Sequence, residues 1–279
     1  MIIDSHHHLW KYAPEDYGWM DESMEILKKD YLPQDLEPRL RETGISGTVV
    51  VQARQSLEET EWLLEMAREN TFIQGVVGWV DLCSPGLEDQ LEKYSANPKL
   101  VGVRHVIHDE PDDDFMLRED FKLGIAQLEK FNLTFDLLLF PKHLKRATHL
   151  VEAFPHQRFV LDHLGKPSIK SGELKPWARD IKVLAAMPNI WCKLSGMVTE
   201  ANPGSWKTED FIPYMAVVLD SFGTDRVMLG SDWPVCTLGG AYQEVMEIAL
   251  HYISSLNSKE KKKIQHQNAF ECYQLQTEN

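Results

Sequence analysis

The sequence predicts a (β/α)8 barrel. Two observations carry that prediction. Short β-branched runs alternate with longer amphipathic runs from one end of the 279 residues to the other, the pattern of βαβ units around a parallel sheet. Eight runs of each kind follow one another with no Gly/Ser tract, low-complexity block or composition shift between them, which fits one closed barrel better than a doubly wound sheet. The expectation is a single domain over residues 1–279.

The strands are read in order. The first is IIDSHHH, the second TVVVQA with Gln52 at its end, and the third IQGVVGWVDL through Trp79 and Asp81. LVGVRH ends in Arg104-His105, and LTFDLLLF runs from Leu133 to Phe140. RFVLDHLG carries His163, IWCKLSG carries Lys193, and RVMLGSDWP carries Asp232. Apolar spacing near 3.6 predicts helices over 35–42, 57–70, 87–94, 115–131, 142–154, 175–187, 209–222 and 241–256, with a ninth from 259 to about 274. Capping signals start several of them: Ser56 precedes LEETEWLL, and Ser84-Pro85 precedes GLEDQL. The longest irregular stretches are 10–33, 106–114, 165–176 and 197–208. All follow strands, which in a barrel gathers them on the face where substrate pockets are built.

Composition narrows the function classes. The net charge of −14 disfavours nucleic acid and anionic membrane as partners. No run approaches the roughly 18 apolar residues of a membrane span. The N-terminus lacks a basic segment followed by an apolar run, so the expected compartment is the cytoplasm. Cys83, Cys192, Cys236 and Cys272 stand singly and read as reduced thiols. The acidic run DEPDDD departs from the calcium-loop spacing and reads as a solvated loop. A homo-oligomer is compatible with the sequence, which carries no mark of its oligomeric state.

The functional signal is a set of polar residues at strand ends: His6, His8, Gln52, Trp79, Arg104, His105, His163, Lys193 and Asp232. Such groups are costly to bury beside apolar strands unless they are partnered. The three consecutive histidines, His6 to His8, follow a strand and precede Leu9-Trp10, which is not the setting of an expression tag. On an extended chain His6 and His8 point the same way and His7 the other. Asp232 arrives on the eighth strand, the neighbour of the first in a closed barrel. Trp10, Trp19, Trp79 and Trp233 are candidate aromatic walls of a substrate pocket, while Trp62 and Trp191 read as packing residues.

Taken in order, IDSHHHLW, GVVGWVDL, LVGVRH, VLDHLGKP, CKLSGMVTEAN and LGSDWPVC resemble the amidohydrolase superfamily, in particular its branch of sugar-acid lactonases. The resemblance runs from Ile3 to about Tyr242. It implies hydrolysis of an aldonolactone such as L-fucono- or L-rhamnono-lactone to the free acid. The alternatives in the same superfamily are a pyrone-dicarboxylate-type lactonase and a decarboxylase. It also implies that His6, His8 and Asp232 are metal ligands or acid/base groups, with His163 near them. Two-metal members add a carboxylate or modified lysine on strand four and a histidine on strand five. Here strand four ends in Arg104-His105 and LTFDLLLF has no histidine, so the expectation is at most one divalent, zinc-like ion. Lactones are activated esters, and hydrolysis with or without the ion is chemically sound. Asp232, His163 and His105 are the candidate catalytic residues, with Asp232 as base on water. Gln52, Trp79, Arg104, Lys166, Lys193, Trp233 and Trp10 are the candidate substrate contacts. Arg104 also suits a rim salt bridge, and Lys193 suits either the barrel interior or its wall.

Overall fold

The computed structural model describes residues 1–276; the last three residues of the predicted unit lie outside the described residues. Eight parallel strands form one sheet in sequence order: β1 (Ile3–His7), β2 (Gly47–Val51), β3 (Ile73–Gly78), β4 (Leu100–His105), β5 (Thr134–Leu137), β6 (Phe159–Leu161), β7 (Ile190–Leu194) and β8 (Val227–Leu229). The seam between the last and first strands is closed by backbone. The amide of Asp232 donates to His6 O at 2.8 Å, and that of His8 to Trp233 O at 2.6 Å. This is the barrel expected from the alternating pattern.

Helices α1 (Pro33–Thr43), α2 (Leu57–Glu69), α3 (Leu87–Ser95), α4 (Glu119–Leu128), α5 (Leu144–Ala153), α6 (Lys175–Ala185), α7 (Thr208–Phe222) and α8 (Tyr242–Tyr252) follow the strands one by one. Their apolar stripes and the outward faces of the strands make the larger core. Ser56 caps α2 by accepting from the Glu59 amide at 3.2 Å, as its position before the apolar run predicts. The region expected as one helix over 115–131 is divided: a 3-10 turn, Phe115–Leu117, stops at the extended Arg118, and α4 starts afresh. The fifth strand ends at Leu137, three residues short of Phe140. Among the described residues no helix is long and apolar enough to cross a membrane.

A second apolar layer lies inside the barrel near its N-terminal end. Ile3, Val49, Val77, Val160 and Met228 meet Cys272, Tyr273 and Leu275 there. The last three belong to the C-terminal segment, where α9 (Ser258–Lys262) and α10 (Asn268–Tyr273) flank a π-helical turn. The chain end thus closes one mouth of the barrel and leaves the other for chemistry.

Candidate active site

Every strand-end residue singled out from the sequence is at the C-terminal end of its strand, but the pleat divides them. Arg104 and His105 are consecutive, and successive side chains on a strand leave by opposite faces. Arg104 enters the barrel, where its NH1 donates to Asp162 Oδ2 at 3.0 Å. His105 leaves it: the ring stacks on Phe115 at 4.9 Å between centroids and its Nε2 meets Glu110 Oε1 at 2.6 Å. His105 is therefore corrected from catalytic candidate to a support of the loop after β4.

The centre is built from β1, β6 and β8. His8 Nδ1 lies 2.8 Å from the carbonyl oxygen of Val51, to which it can only donate. Its Nε2 faces His6 Nε2 at 3.2 Å and Asp232 Oδ1 at 3.3 Å. His6 Nε2 and His163 Nε2 are each 3.8 Å from the same Asp232 oxygen. On its other edge, His6 Nδ1 is 3.2 Å from both Asp162 Oδ1 and Lys193 Nζ. His7 turns away, as alternation requires, to Thr48 Oγ1 at 2.9 Å.

Backbone conformation places two of these groups. Asp232 has φ +59°, and His163 begins four left-handed residues, His163 to Lys166, with φ between +51° and +69°. Non-glycine residues seldom adopt that region, and such outliers cluster at functional sites. Two glycines make room. A Cβ on Gly196, itself at φ +61°, would stand 2.5 Å from His163 Nδ1, and one on Gly230 would stand 2.7 Å from His6 Cβ.

Burial sets the charge states. It raises the Asp232 carboxyl, but the neighbouring His163, His8 and His6 outweigh it and hold the group below the usual carboxylate range. Burial drives the His6 ring well below its usual value and His163 down to about 4. Asp162, raised by burial, is pulled well down by Lys193, His6 and Arg104. Near neutral pH an ionised Asp232 thus faces neutral His6 and His163.

His6, His8 and Asp232 suit a metal ion. Two imidazole nitrogens and a carboxylate oxygen lie within 4.8 Å of one another. Zinc–nitrogen bonds of 2.0–2.1 Å put adjacent tetrahedral ligands about 3.3 Å apart, close to two of the three separations here. His8 Nε2 points into that gap. An ion held there supplies positive charge and Lewis acidity.

Above the centre opens a cavity of about 650 Å³, within the range of small-ligand sites. His8, Asp232, His163, Arg104, Lys166 and Trp10 line it, as expected, together with Trp19. Four expected contacts lie elsewhere. Gln52 is fully buried, its Nε2 donating to Arg104 O at 3.3 Å while its backbone carbonyl accepts from the Arg104 guanidinium. Trp79 turns toward His105, 3.4 Å from Nε1 to Nδ1. Trp233 is fully buried against Tyr31, with Arg39 over its ring, so it stacks on protein and not on sugar. Lys193 is sealed inside the barrel between Asp136 and Asp162.

Sequence reasoning passed over several groups. Asp162 stood beside His163 in VLDHLG and Asp136 interrupted the apolar LTFDLLLF, so both carried the mark of a costly buried charge. Arg54, His108 and Glu200 also line the cavity, and come from loops with no periodic signal. Asp109 and Glu110 line it too, so part of the acidic run read as a solvated loop faces the site.

A family model described as Amidohydrolase matches residues 3–275. The chain belongs to the amidohydrolase family. This amidohydrolase is 38% identical to L-fucono-1,5-lactonase of Burkholderia ambifaria, over 86% of this chain and 82% of that one. It is 36% identical to L-fucono-1,5-lactonase of Burkholderia multivorans, over 98% and 96%. A crystal structure of an amidohydrolase from Burkholderia multivorans with bound zinc superposes with a TM-score of 0.95, at 36% identity, covering 99% of this chain and all of that one.

Proposed function

We propose that the protein is a lactonase that opens a neutral sugar-acid lactone, an aldonolactone of the L-fucono- or L-rhamnono- kind, to the free acid. The observation that carries this reading is the geometry of the cavity floor, where Asp232 Oδ1 stands 3.3 Å from His8 Nε2 and 3.8 Å from His6 Nε2 and His163 Nε2. The names of the two Burkholderia relatives support the substrate class.

Hydrolysis of a cyclic ester needs a base for water, a donor for the carbonyl oxygen and a proton for the leaving oxygen. In the proposed assignment Asp232 takes the proton from water. The hydroxide adds to the carbonyl carbon, and Asp232 passes the proton to the ring oxygen as the C–O bond breaks. His163 bonds Ser195 Oγ through Nδ1 at 2.9 Å. With the serine hydroxyl donating, Nε2–H is the donor for the developing oxyanion. His6 and His8 orient the water, and with Asp232 they are the residues that hold one zinc-like ion. The protein's own groups complete the proton cycle, so chelation is expected to slow turnover without abolishing it. Lys166 contacts the sugar ring or its product carboxylate, while Trp10, fully buried, backs the cavity wall. The free thiols fit a reducing cytoplasm as the compartment.

The cavity's charges favour a neutral lactone over a pyrone dicarboxylate. Its three cations are all paired: Arg54 with Asp16 at 2.6 Å, Arg104 with Asp162 at 3.0 Å, and Lys166 with Glu200 at 2.7 Å. Asp109, Glu110 and Asp232 add further negative charge, which repels a dianion.

The deciding experiment is a pH-indicator assay on a panel of aldonolactones, with and without chelator, beside a pyrone dicarboxylate and a CO₂ assay on aromatic acids. Aldonolactone turnover that falls on the order of a thousandfold in Asp232→Asn is expected. Turnover confined to the dicarboxylate, or CO₂ release, overturns the reading. An Asp232→Asn variant of full activity removes Asp232 from the mechanism.

A further inference from the structure

Below the acid/base groups the barrel interior holds charge that the reaction above does not use. Lys193 is fully buried, with Nζ 2.6 Å from Asp136 Oδ2, 3.0 Å from Asp162 Oδ1 and 3.2 Å from His6 Nδ1. The same Asp136 oxygen accepts from the Tyr273 hydroxyl at 2.7 Å, and the Tyr273 ring lies 5.4 Å from Nζ. Tyr273 is the last residue of α10, the helix that closes the far mouth. An unbroken line of contacts thus runs from the closed end of the barrel to the floor of the cavity.

Packing alone does not call for such a line. Buried ion pairs are often no more stabilising than apolar residues of the same volume, and the adjoining layer is built of Ile, Val and Met. The placement is selective: the lysine ends on the Nδ1 edge of His6, the ring whose opposite edge faces His8 and Asp232.

We propose that Lys193, Asp136 and Tyr273 are positioning residues for His6. Asp162, itself held by Lys193, accepts from the Nδ1 edge of the ring, which leaves the Nε2 lone pair directed at the reaction centre. Asp136 and Tyr273 hold Lys193 at that edge. The C-terminal helix therefore acts on the chemistry through one hydroxyl group. The inference rests on the lactonase reading for its kinetic arm alone.

Tyr273→Phe removes that hydroxyl and keeps the ring. The expected result is a folded protein whose kcat on an aldonolactone falls about tenfold with KM unchanged. Its His6 ring ¹⁵N resonances, assigned by their loss in His6→Asn, are expected to shift. Leu275→Ala serves as the control: it loosens the same closing layer without touching Asp136, and should lower the melting temperature while leaving kcat and the His6 resonances in place. Wild-type kcat and His6 resonances in Tyr273→Phe overturn the proposal. So does an equal kcat loss in Leu275→Ala. If the wild type opens no lactone, the lactonase reading fails, and the ¹⁵N comparison of Tyr273→Phe with wild type decides the positioning claim by itself.

Discussion

His8 Nε2 stands 3.3 Å from Asp232 Oδ1, while its Nδ1–H is committed to Val51 O. With Nδ1 so held, Nε2 is the nitrogen placed to bind a cation beside the carboxylate. Zinc in excess over protein, at a hundred times its Kd, is therefore expected to raise the melting temperature by a few degrees, since it adds about 2.7 kcal/mol. Calorimetry with and without zinc measures it. In His8→Ala the shift should vanish, and a shift that persists there places the ion elsewhere.

Gly196 carries the next prediction. Alanine at φ +61° is strained, and its Cβ would displace the His163 ring. We expect Gly196→Ala to lose on the order of 1–2 kcal/mol of stability from the backbone alone, and to lose turnover well beyond what that destabilisation explains. Activity measured far below the melting temperature separates the two. Unchanged kcat would mean that the exact seat of His163 does not matter.

Acid should unfold the protein sooner than its many carboxylates suggest. Burial lowers His7 and His108 to about 3 and His163 to about 4 in the folded chain. The unfolded chain takes up those protons near pH 6.5, so stability is lost as the pH falls from about 6.5 toward 4. Each histidine contributes about 1.4 kcal/mol per pH unit within that window. Denaturant melts from pH 7 to 5 would show the slope, and His7→Gln should flatten it by one histidine's share. An unchanged slope in that variant contradicts the buried neutral state of His7.

Glu59 works in the opposite sense. Burial raises its carboxyl to about 7, although the backbone amides of Arg54 and Ala53 donate to it at 3.0 Å. The folded chain holds this proton between pH 4.5 and 7 where the unfolded chain does not, so its contribution is complete below 4.5 and lost as the pH rises through 7. Relative to wild type, Glu59→Gln should gain on the order of 3 kcal/mol between pH 5 and pH 8. Paired melts at those two values test it, and a difference independent of pH would show that Glu59 is ionised throughout.

The barrel and the centre were legible in the sequence to different depths. Alternation and spacing are local properties, and they sufficed for the strand order and for His6, His8 and Asp232, whose convergence follows from closing the sheet. The pleat also foretold that His7 would turn away. The same rule, applied to Arg104-His105, would have kept His105 out of the cavity, but it needs the strand's phase as well as its end. Trp233 misled because adjacency to Asp232 along the chain says nothing about direction after a left-handed residue. Arg54, His108 and Glu200 reach the cavity by loop paths that no periodicity encodes.

The seam of the barrel has a consequence for how activity is lost. Asp4 of β1 accepts from the Ser231 amide at 2.9 Å and hydroxyl at 2.6 Å and from the Tyr242 hydroxyl at 3.0 Å. The next hydrogen bonds of the same seam, from the Asp232 and His8 amides, belong to the proposed base and to a proposed ligand. The clasp that makes the sheet a cylinder and the clasp that assembles the catalyst are one object. Heat that parts the first strand from the last should therefore extinguish turnover in the same step, leaving no window in which an intact-looking barrel has gone silent.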